Sequence, residues 1–305
     1  MKIEKFDLKE KVLVVAELSA NHNQNFDIAV KTIEAAKEAG VDAIKFQTYT
    51  PDTITIDCDN EFFKIQHGTI WDGSSLYELY QKAHTPWEWQ EGIIKYANDL
   101  GLVCFSSVFD ESSVEFLENL DVPAYKIASQ ECVHIPLIRE VALTKKPIVM
   151  STGMASIQEI HEAVSTAREH GCENLLLFHC ISAYPAKLEQ ANLKNLIYLR
   201  KEFEVEVGLS DHTIGNTAAI ASIAMGASAI EKHFILNRND KGPDSEFSIE
   251  PEELTELKNI TNQVWEALGS EGLGRSKDEI GSKVFRRSLY FIKSLKKGTI
   301  ITRND

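Results

Sequence analysis

Short apolar runs rich in β-branched residues alternate with longer helix-like segments along most of the sequence. The predicted strands lie at residues 12–16, 43–47, 103–107, 124–128, 147–151, 175–179, 206–210 and 229–233. The segments between them repeat at helical spacing, as where Ala29, Val30 and Ile33 share one face. This alternation predicts a (β/α)8 TIM barrel, whose reactive groups lie at the carboxyl ends of the strands. A doubly wound open sheet is less favoured because no G-x-G-x-x-G motif follows the first strand.

Composition narrows the classes of function. A chain of 305 residues, 43% of them hydrophobic, is long enough for one large core. No apolar run could cross a membrane and the first residues lack a secretion signal, so we expect a cytoplasmic protein. The net charge of −14 argues against nucleic acid as a partner, but a few local groups could still bind a small anion. Five cysteines without a C-x-x-C pair argue against disulfides or a thiolate zinc site.

Two stretches interrupt the alternation and suggest the domain organisation. Residues 48–84 form a connection that is too long for an ordinary loop and is rich in aromatic residues, which suggests an active-site lid. The Gly- and Ser-rich tail from residue 269 predicts a linker, and the apolar run at residues 285–292 predicts a new strand. We therefore expect a catalytic barrel over residues 1–268, a linker over 269–285, and the start of a small domain over 286–305.

The ends of the predicted strands carry many polar side chains. Because side chains alternate between the two faces of a strand, Lys45 and Gln47 share the inward face, and Lys126 points inward from the fourth strand. Burying an ammonium group is costly unless an anion meets it, although either lysine alone could reach water along its flexible stem. Two lysines, with several serines at the same rim, favour a phosphate or carboxylate site.

His212 and His233 end consecutive predicted strands, so both imidazoles could reach one cation. Without thiolates, such a site would keep water or substrate positions open and would suit Mn²⁺, Mg²⁺, Co²⁺ or Zn²⁺. The alternative is a pair of rim histidines hydrogen-bonded to the backbone. Two carboxylates also have alternatives: Glu17 is either reactive or the ion-pair partner of a barrel lysine, and Asp244 follows a Gly-Pro turn above the barrel mouth.

Together these motifs resemble the sialic acid synthase family, from about residue 10 to the end of the chain. The segments that carry the resemblance are residues 16–23, 45–48, 126–129, 151–154, 208–213 and 231–234, in the same order as in the family. Residues 49–53, 71–73 and 85–89 are most similar to the branch of the family that forms pseudaminic acid. Ser182 fits that branch, because members that form N-acetylneuraminate have Asn at this position.

The resemblance implies roles for particular residues. The implied catalytic residues are Glu17, Lys45, Lys126, His212 and His233, of which the two histidines bind the metal. The implied contacts to phosphoenolpyruvate are Lys45, Ser107, Lys126, Ser129, Ser151, Ser182 and Ser210. The implied sugar-side groups are Glu17, Gln47, Tyr184 and Asp244. The implied cofactor is a divalent cation, Mn²⁺ or Mg²⁺, with Co²⁺ as a further option.

The reaction that the resemblance implies is condensation of phosphoenolpyruvate with an open-chain N-acetylated amino sugar. C3 of phosphoenolpyruvate attacks the sugar aldehyde, which the metal polarises, water adds at C2, and phosphate leaves by C–O cleavage. The expected sugar is 2,4-diacetamido-2,4,6-trideoxy-altrose, which yields pseudaminic acid. Alternatives within the family are N-acetylneuraminate and legionaminic acid synthases, and a non-catalytic sugar-binding barrel is the alternative outside catalysis.

A synthase acting on a phosphorylated sugar is a further rival, but it would need a second basic cluster. Arg238 and Arg275 are the only obvious arginines near the predicted mouth. The family also implies a homodimer, in which a small C-terminal antifreeze-like domain supplies an arginine to the partner's active site. Residues 286–305 resemble the opening of that domain, and the sequence ends before the expected arginine.

Overall fold

The computed structural model describes residues 1–66, 68, 71–270 and 272–305, and in it a short antiparallel hairpin precedes a closed barrel of eight parallel strands. The hairpin consists of β1 (Lys2–Ile3) and β2 (Phe6–Asp7). The barrel strands are β3 (Leu13–Glu17), β4 (Ala43–Thr48), β5 (Val103–Val108), β6 (Tyr125–Ile127), β7 (Ile148–Ser151), β8 (Leu175–Cys180), β9 (Glu206–Asp211) and β10 (Ala229–His233). Pairing of β10 with β3 closes the barrel and sets His233 opposite Glu17. The predicted TIM barrel and its eight strands are confirmed.

Helices follow the barrel strands and pack against their outer faces. The α-helices are α1 (Phe26–Glu38), α2 (Pro51–Ile54), α3 (Leu76–Ala83), α4 (Trp87–Asp99), α5 (Glu111–Asn119), α6 (Ile135–Leu143), α7 (Ile157–Glu169), α8 (Asn195–Phe203), α9 (Thr217–Ala224), α10 (Pro251–Leu268) and α11 (Lys277–Gly281). Side-chain caps fix where several of them begin, as Asn25 accepts from two backbone amides at the start of α1. No helix among the described residues is both long and apolar enough to cross a membrane.

The inside of the barrel has an apolar end and a polar end. Alternate strand residues such as Leu13, Val103 and Phe105 fill the amino-terminal part, together with Ile3 and Phe6 of the hairpin. Because alternate residues of a strand share one face, the same inward rows continue toward the carboxyl end, where they present polar groups such as Ser107. The hairpin, which the sequence pattern did not predict, therefore closes the end of the barrel opposite to the polar residues.

The insertion at residues 48–84 contains α2, a 3₁₀ turn at Glu61–Phe63 and α3, with Lys64 bridged to Ser75. A capping box of Ser75 and Glu78 fixes the start of α3. Tyr49 is buried against Tyr80 and Phe109, so part of the aromatic content is ordinary packing. His67, Thr69 and Ile70 of this insertion lie outside the described residues.

The chain divides into two compact units, Met1–Leu268 and Gly269–Asp305. The second unit contains α11 and a 3₁₀ turn at Ser282–Phe285. The strand predicted at residues 285–292 is wrong, because that segment is irregular in the structure. A strand is stable only when it is paired, and within the described part of this unit no second strand is present to pair with it. Its apolar side chains, including Leu289 and Tyr290, are exposed within the unit.

Candidate active site

A cavity of about 580 Å³ opens at the carboxyl ends of the barrel strands, and it collects nearly all of the residues that the sequence analysis singled out. Those that line it are Glu17, Lys45, Gln47, Ser107, Lys126, Ser129, Ser151, Tyr184, Ser210, His212, His233 and Asp244. Ser182 is not among the lining residues, and its hydroxyl lies 3.8 Å from the sulfur of Cys180. These residues come together because each lies at or after the carboxyl end of a barrel strand, and all eight of those ends lie on the same side of the barrel.

Lys126 lies in the cavity, and its closest partners among the described residues are uncharged. Its Nζ donates to the hydroxyl of Ser151 at 2.7 Å and to the carbonyl of Ile127 at 3.1 Å, and it forms no ion pair with a carboxylate among the described residues. Burial lowers the pKa of its ammonium group, although the charge of the more distant Glu231 opposes that effect. Ser129 is close by, where its hydroxyl accepts from the backbone amide of Gly153 at 3.2 Å. A buried ammonium group surrounded by hydroxyls is suited to bind an anion.

Lys45, in contrast, already has carboxylate partners. Its Nζ lies 2.6 Å from Oε2 of Glu17 and 3.8 Å from Oε2 of Glu231, and it donates to Ser107 at 3.0 Å. Burial acts to lower the pKa of Lys45, but the two carboxylates raise it overall. For Glu17, the structure therefore shows the ion pair with a barrel lysine that was the alternative to a reactive role. The carboxylate also accepts from Gln47 at 3.0 Å, so it is held at two points.

Several titratable residues of the cavity were not assigned roles from the sequence, and three of them lie close to the lysines and histidines of the site. Glu231 accepts from the hydroxyl of Ser210 at 2.9 Å and points inward, two residues before His233. Glu131 follows β6, and burial raises the pKa of its carboxyl to about 7. Burial also raises the pKa of Cys180, but His212, Ser129 and Lys126 together outweigh that effect and lower the pKa to about 7. The alternation of side chains along a strand could have identified Glu231 in β10 and Cys180 at the end of β8, whereas Glu131 depends on how the segment after β6 folds.

His212 and His233 are adjacent, with ring centroids 5.4 Å apart. Nδ1 of His212 lies 3.0 Å from the carbonyl of Ile181, so that nitrogen carries the proton and Nε2 is left as the free nitrogen. Nδ1 of His233 is buried, has no hydrogen-bond partner in the described part of the chain, and lies 3.8 Å from Oδ2 of Asp244. Burial lowers the pKa of His233 well below its ordinary value, which keeps the imidazole neutral.

This arrangement fits a divalent cation bound by two imidazoles. A buried, unpartnered ring nitrogen is a costly feature unless a ligand meets it, and a metal ion is such a ligand. No group of three or more His, Cys, Asp or Glu side chains arranged to hold a metal occurs in the described part of the chain. A cation here would therefore keep several positions for water or substrate, which favours a catalytic over a structural site.

Aromatic side chains form the outer wall of the cavity. The ring of Tyr184 stacks near His212 with centroids 4.4 Å apart, and it contacts Trp71 of the insertion at 5.5 Å. The indole Nε1 of Trp71 donates to the carbonyl of Pro243 at 2.9 Å, beside Asp244. The insertion is therefore attached to the loop after β10, and it lines the cavity mouth as the sequence analysis expected of a lid.

Two other polar residues that the sequence analysis considered do not line the cavity. His22 is fully buried: its Nδ1 accepts from the backbone amide of Gln24, and its Nε2 lies 3.2 Å from the hydroxyl of Thr85. Burial lowers its pKa to about 4, so it is a neutral packing residue. Arg238 pairs with Glu250 and Glu253 rather than facing the cavity. It therefore does not provide the second basic cluster that a phosphorylated sugar would need.

Fold and site together define a class: a TIM barrel with an anion site and a histidine pair at the catalytic end. The profile of the NeuB family matches residues 32–272, and the chain belongs to that family. It is 43% identical over 305 residues to the pseudaminic acid synthase of Campylobacter jejuni subsp. jejuni serotype O:23/36, covering 100% of this chain and 89% of that protein. It is 44% identical over 293 residues to the pseudaminic acid synthase of Helicobacter pylori, covering 96% and 86%.

A solved structure agrees with this assignment. The structure of an N-acetylneuraminic acid synthetase from Leptospira borgpetersenii serovar Hardjo-bovis, in complex with citrate, aligns with a TM-score of 0.81 at 29% identity and covers 92% of each chain. The resemblance to the sialic acid synthase family that the motifs suggested is therefore confirmed.

Proposed function

We propose that this chain is a pseudaminic acid synthase, which condenses phosphoenolpyruvate with open-chain 2,4-diacetamido-2,4,6-trideoxy-altrose and releases phosphate. The observation that carries the proposal is the buried Lys126, which has hydroxyl partners but no carboxylate partner among the described residues. The similarity to pseudaminic acid synthases along the whole chain supports the choice of reaction and sugar.

The phosphoenolpyruvate site consists of two lysine–serine pairs on neighbouring strands. Lys126 with Ser151 and Lys45 with Ser107 would hold the phosphate and carboxylate groups through charged hydrogen bonds. The arriving anion would compete with Glu17 and Glu231 for Lys45, so Lys126 supplies the larger part of the uncompensated positive charge. Fixing both anionic groups orients C3 toward the sugar-side residues of the same cavity.

The sugar side consists of Glu17, Gln47, Tyr184 and Asp244. A divalent cation held by His212 and His233 would supply Lewis-acid polarisation of the aldehyde oxygen. The new bond joins C3 of phosphoenolpyruvate to the aldehyde carbon, water adds at C2, and the C2–O bond to phosphate breaks. Glu17, fixed between Lys45 and Gln47, would orient the water or a sugar hydroxyl.

The preference for a 6-deoxy sugar is supported by the apolar wall of the insertion. Ile54, Ile65, Trp71 and Leu79 line the cavity on that side, where a methyl group can be packed and a hydroxyl would lose its hydrogen bonds to water. The similarity of residues 49–53 and 71–73 to the pseudaminic branch supports the same choice.

The test is a comparison of sugars with the purified protein. We expect phosphate release with the trideoxy sugar and phosphoenolpyruvate, and a product with the mass of pseudaminic acid. The kcat/KM for the trideoxy sugar should exceed that for N-acetylmannosamine by at least about tenfold, since a misplaced or missing polar contact changes transition-state binding by that order. Equal or better turnover of N-acetylmannosamine or of a legionaminic acid precursor would reassign the sugar. Sugar binding without phosphate release would indicate a non-catalytic barrel.

Further features of the proposal rest on the family resemblance. We propose that Mn²⁺ or Mg²⁺ is the metal, with Co²⁺ as a further option, that the protein is a cytoplasmic homodimer, and that residues 269–285 link the barrel to an antifreeze-like segment at residues 286–305. Chromatographic mass determination would test the homodimer.

A further inference from the structure

Ser19 adopts a backbone conformation that ordinary residues avoid. It is the first residue inside a turn after β3, which the backbone amide of Asn21 closes by donating to the carbonyl of Leu18 at 3.1 Å. The φ angle of Ser19 is +45°, in the left-handed region that favours glycine because a side chain crowds the backbone there. Other non-glycine residues of this chain, such as Lys145 and Met154, also have positive φ, so the contacts of the Ser19 side chain decide what serine contributes at this position.

The hydroxyl of Ser19 links two predicted sugar-side residues. It donates to Oδ2 of Asp244 and accepts from the amide nitrogen of Gln47 at 3.3 Å. The same Gln47 nitrogen donates to Glu17 at 3.0 Å, so Ser19 completes a chain of contacts from Lys45 and Glu17 to Asp244. Ser19 is buried and lines the cavity.

The fold holds the backbone near Asp244 by other contacts. Asn21 donates to the carbonyl of Phe234 at 2.9 Å and to the hydroxyl of Ser248 at 2.8 Å, and Ser248 in turn donates to the backbone carbonyl of Asp244. The side chain of Asp244 depends mainly on Ser19, since the only other hydrogen bond to its Oδ2 among the described residues is a long one from the amide of Ala20. Loss of the hydroxyl should therefore release the carboxylate without unfolding the loop.

We propose that Ser19 is a positioning residue for the amino sugar. Its hydroxyl holds Oδ2 of Asp244 and the amide of Gln47 in place, and this leaves Oδ1 of Asp244 to accept a hydrogen bond from a hydroxyl or acetamido N–H group of the substrate. Within the described residues Oδ1 has no hydrogen-bond donor. This role rests on the proposed function, because it concerns the sugar side of the same cavity.

The role explains why serine occupies a position that suits glycine. Glycine would adopt this φ without crowding, but it would leave Asp244 and Gln47 without their common partner. Serine therefore lowers the stability of the fold somewhat, but it fixes the carboxylate of Asp244. Replacing it by glycine should separate the two effects, since stability is retained or improved while sugar recognition is lost.

The experiment compares Ser19→Gly and Ser19→Ala with the unmutated protein and with Glu204→Gly. Glu204 is a matched control, because it is an exposed residue at φ +51° after α8 and does not line the cavity. We expect both Ser19 variants to lose about ten- to a hundredfold in kcat/KM for the sugar, the usual effect of removing one hydrogen bond to a charged group. Phosphoenolpyruvate affinity, measured by calorimetry, should change less than about twofold, within the scatter expected when no contact to that ligand is lost.

The stability readout distinguishes positioning from a structural role. Ser19→Gly and Glu204→Gly should both unfold at a temperature equal to or above that of the unmutated protein, while only Ser19→Gly alters sugar kinetics. Unchanged sugar kinetics in Ser19→Gly, or an equal loss of phosphoenolpyruvate affinity, would overturn the role of Ser19. Failure of the unmutated protein to release phosphate with any amino sugar would instead overturn the proposed function. If Ser19→Ala does not fold, Ser19→Gly still gives the answer.

Discussion

The two inward lysines have the same chemistry but different surroundings. Lys126 is buried with hydroxyl and carbonyl partners, whereas Lys45 is held between the carboxylates of Glu17 and Glu231. A buried charge that lacks a counterion weakens the fold, and removing one partner of a buried pair exposes the other to the same cost. Replacing Lys126 should therefore leave the free energy of unfolding unchanged or raise it, whereas replacing Lys45 should lower it.

We predict that Lys126→Met folds with unchanged or higher stability and loses at least about a hundredfold in phosphoenolpyruvate affinity, because it removes an uncompensated charge from the anion site. Lys45→Met should lose about 3–5 kcal/mol in the free energy of unfolding, because Glu17 and Glu231 remain buried together without their cation. Urea unfolding and calorimetry with phosphoenolpyruvate measure both effects. Equal destabilisation by the two replacements would contradict the difference in their surroundings.

A second prediction at this scale concerns Glu131, whose pKa is raised to about 7 by burial, with Lys126 as the charged group that opposes the shift. Between about pH 4.5 and 7 the folded protein binds a proton that the unfolded chain has released, so stability falls as pH rises through this window. The fall amounts to about 3 kcal/mol and levels off above pH 7. Glu131→Gln should lack this component, whereas Glu140→Gln, at an exposed site, should retain it.

The measurement is urea unfolding of the three ligand-free proteins at pH 5 and pH 8. Other groups also titrate in this range, so the relevant quantity is the difference between each variant and the unmutated protein. The same pH dependence in Glu131→Gln and Glu140→Gln would show that the carboxyl of Glu131 ionises at its ordinary pKa.

The sequence predicted the secondary-structure elements better than it predicted the contacts between side chains. All eight barrel strands were predicted because each is a short apolar run between segments of helical period, and the alternation of side chains along a strand then placed Lys45 and Lys126 inward. The ion pair of Glu17 with Lys45 could not be derived in the same way, since it depends on the register between β3 and β4. The strand predicted at residues 285–292 was wrong because apolar content alone does not provide a pairing partner.

The outward faces of β9 and β10 show another contact that needs register. Lys232 and Asp211 lie directly opposite each other, each next to a histidine of the site, and their side chains form an ion pair at 2.9 Å with Lys232 fully buried. Nζ of Lys232 also donates to the carbonyl of Thr213 at 2.7 Å. The pair therefore ties together the two strand ends that carry His212 and His233.

We predict that Lys232→Met weakens Mn²⁺ binding by about tenfold, as is usual when a supporting partner of a metal site is lost. It should also lose about 3 kcal/mol in the free energy of unfolding, because Asp211 stays buried without its cation. The matched control is Lys258→Met, which breaks the buried pair with Asp42 near the start of β4. The control should also lose stability, though less because Lys11 remains 3.4 Å from Asp42, and it should keep its Mn²⁺ affinity. Titration with Mn²⁺ measures the affinity of each variant. A similar loss of affinity in both variants would show that general destabilisation is the cause.

At the scale of the whole molecule, the closed barrel places the polar cavity at one end and a stabilising apolar cluster at the other. The residues of the cavity come from positions between Glu17 and Asp244, so no short segment of the sequence contains the site. The opposite end holds the apolar cluster in which Phe6 of the hairpin packs inside the barrel. The protein as a whole has a net charge of −14, yet Lys126 can still attract an anion, because its direct partners are a hydroxyl and a carbonyl and the exposed charges elsewhere are screened by solvent.

This separation predicts opposite outcomes for two perturbations. A chelator should reduce turnover to background, and added Mn²⁺ or Mg²⁺ should restore it, while the unfolding temperature falls by no more than the small amount expected for a bound ligand. His212→Ala should lose turnover like the chelated protein because it removes a metal-binding imidazole, and it should stay folded because His212 packs against the cavity wall and not within the apolar clusters of the barrel. Phe6→Ala should instead lose about 3–5 kcal/mol in the free energy of unfolding, since it leaves a cavity in the core. Its KM values should be unchanged at a temperature where it is folded.

Thermal unfolding and phosphate release, measured on all of these proteins, test both the metal role and the separation of the two ends of the barrel. Full turnover in excess chelator would exclude the metal role of the histidine pair, and altered KM values in Phe6→Ala would show that the two ends of the barrel are coupled.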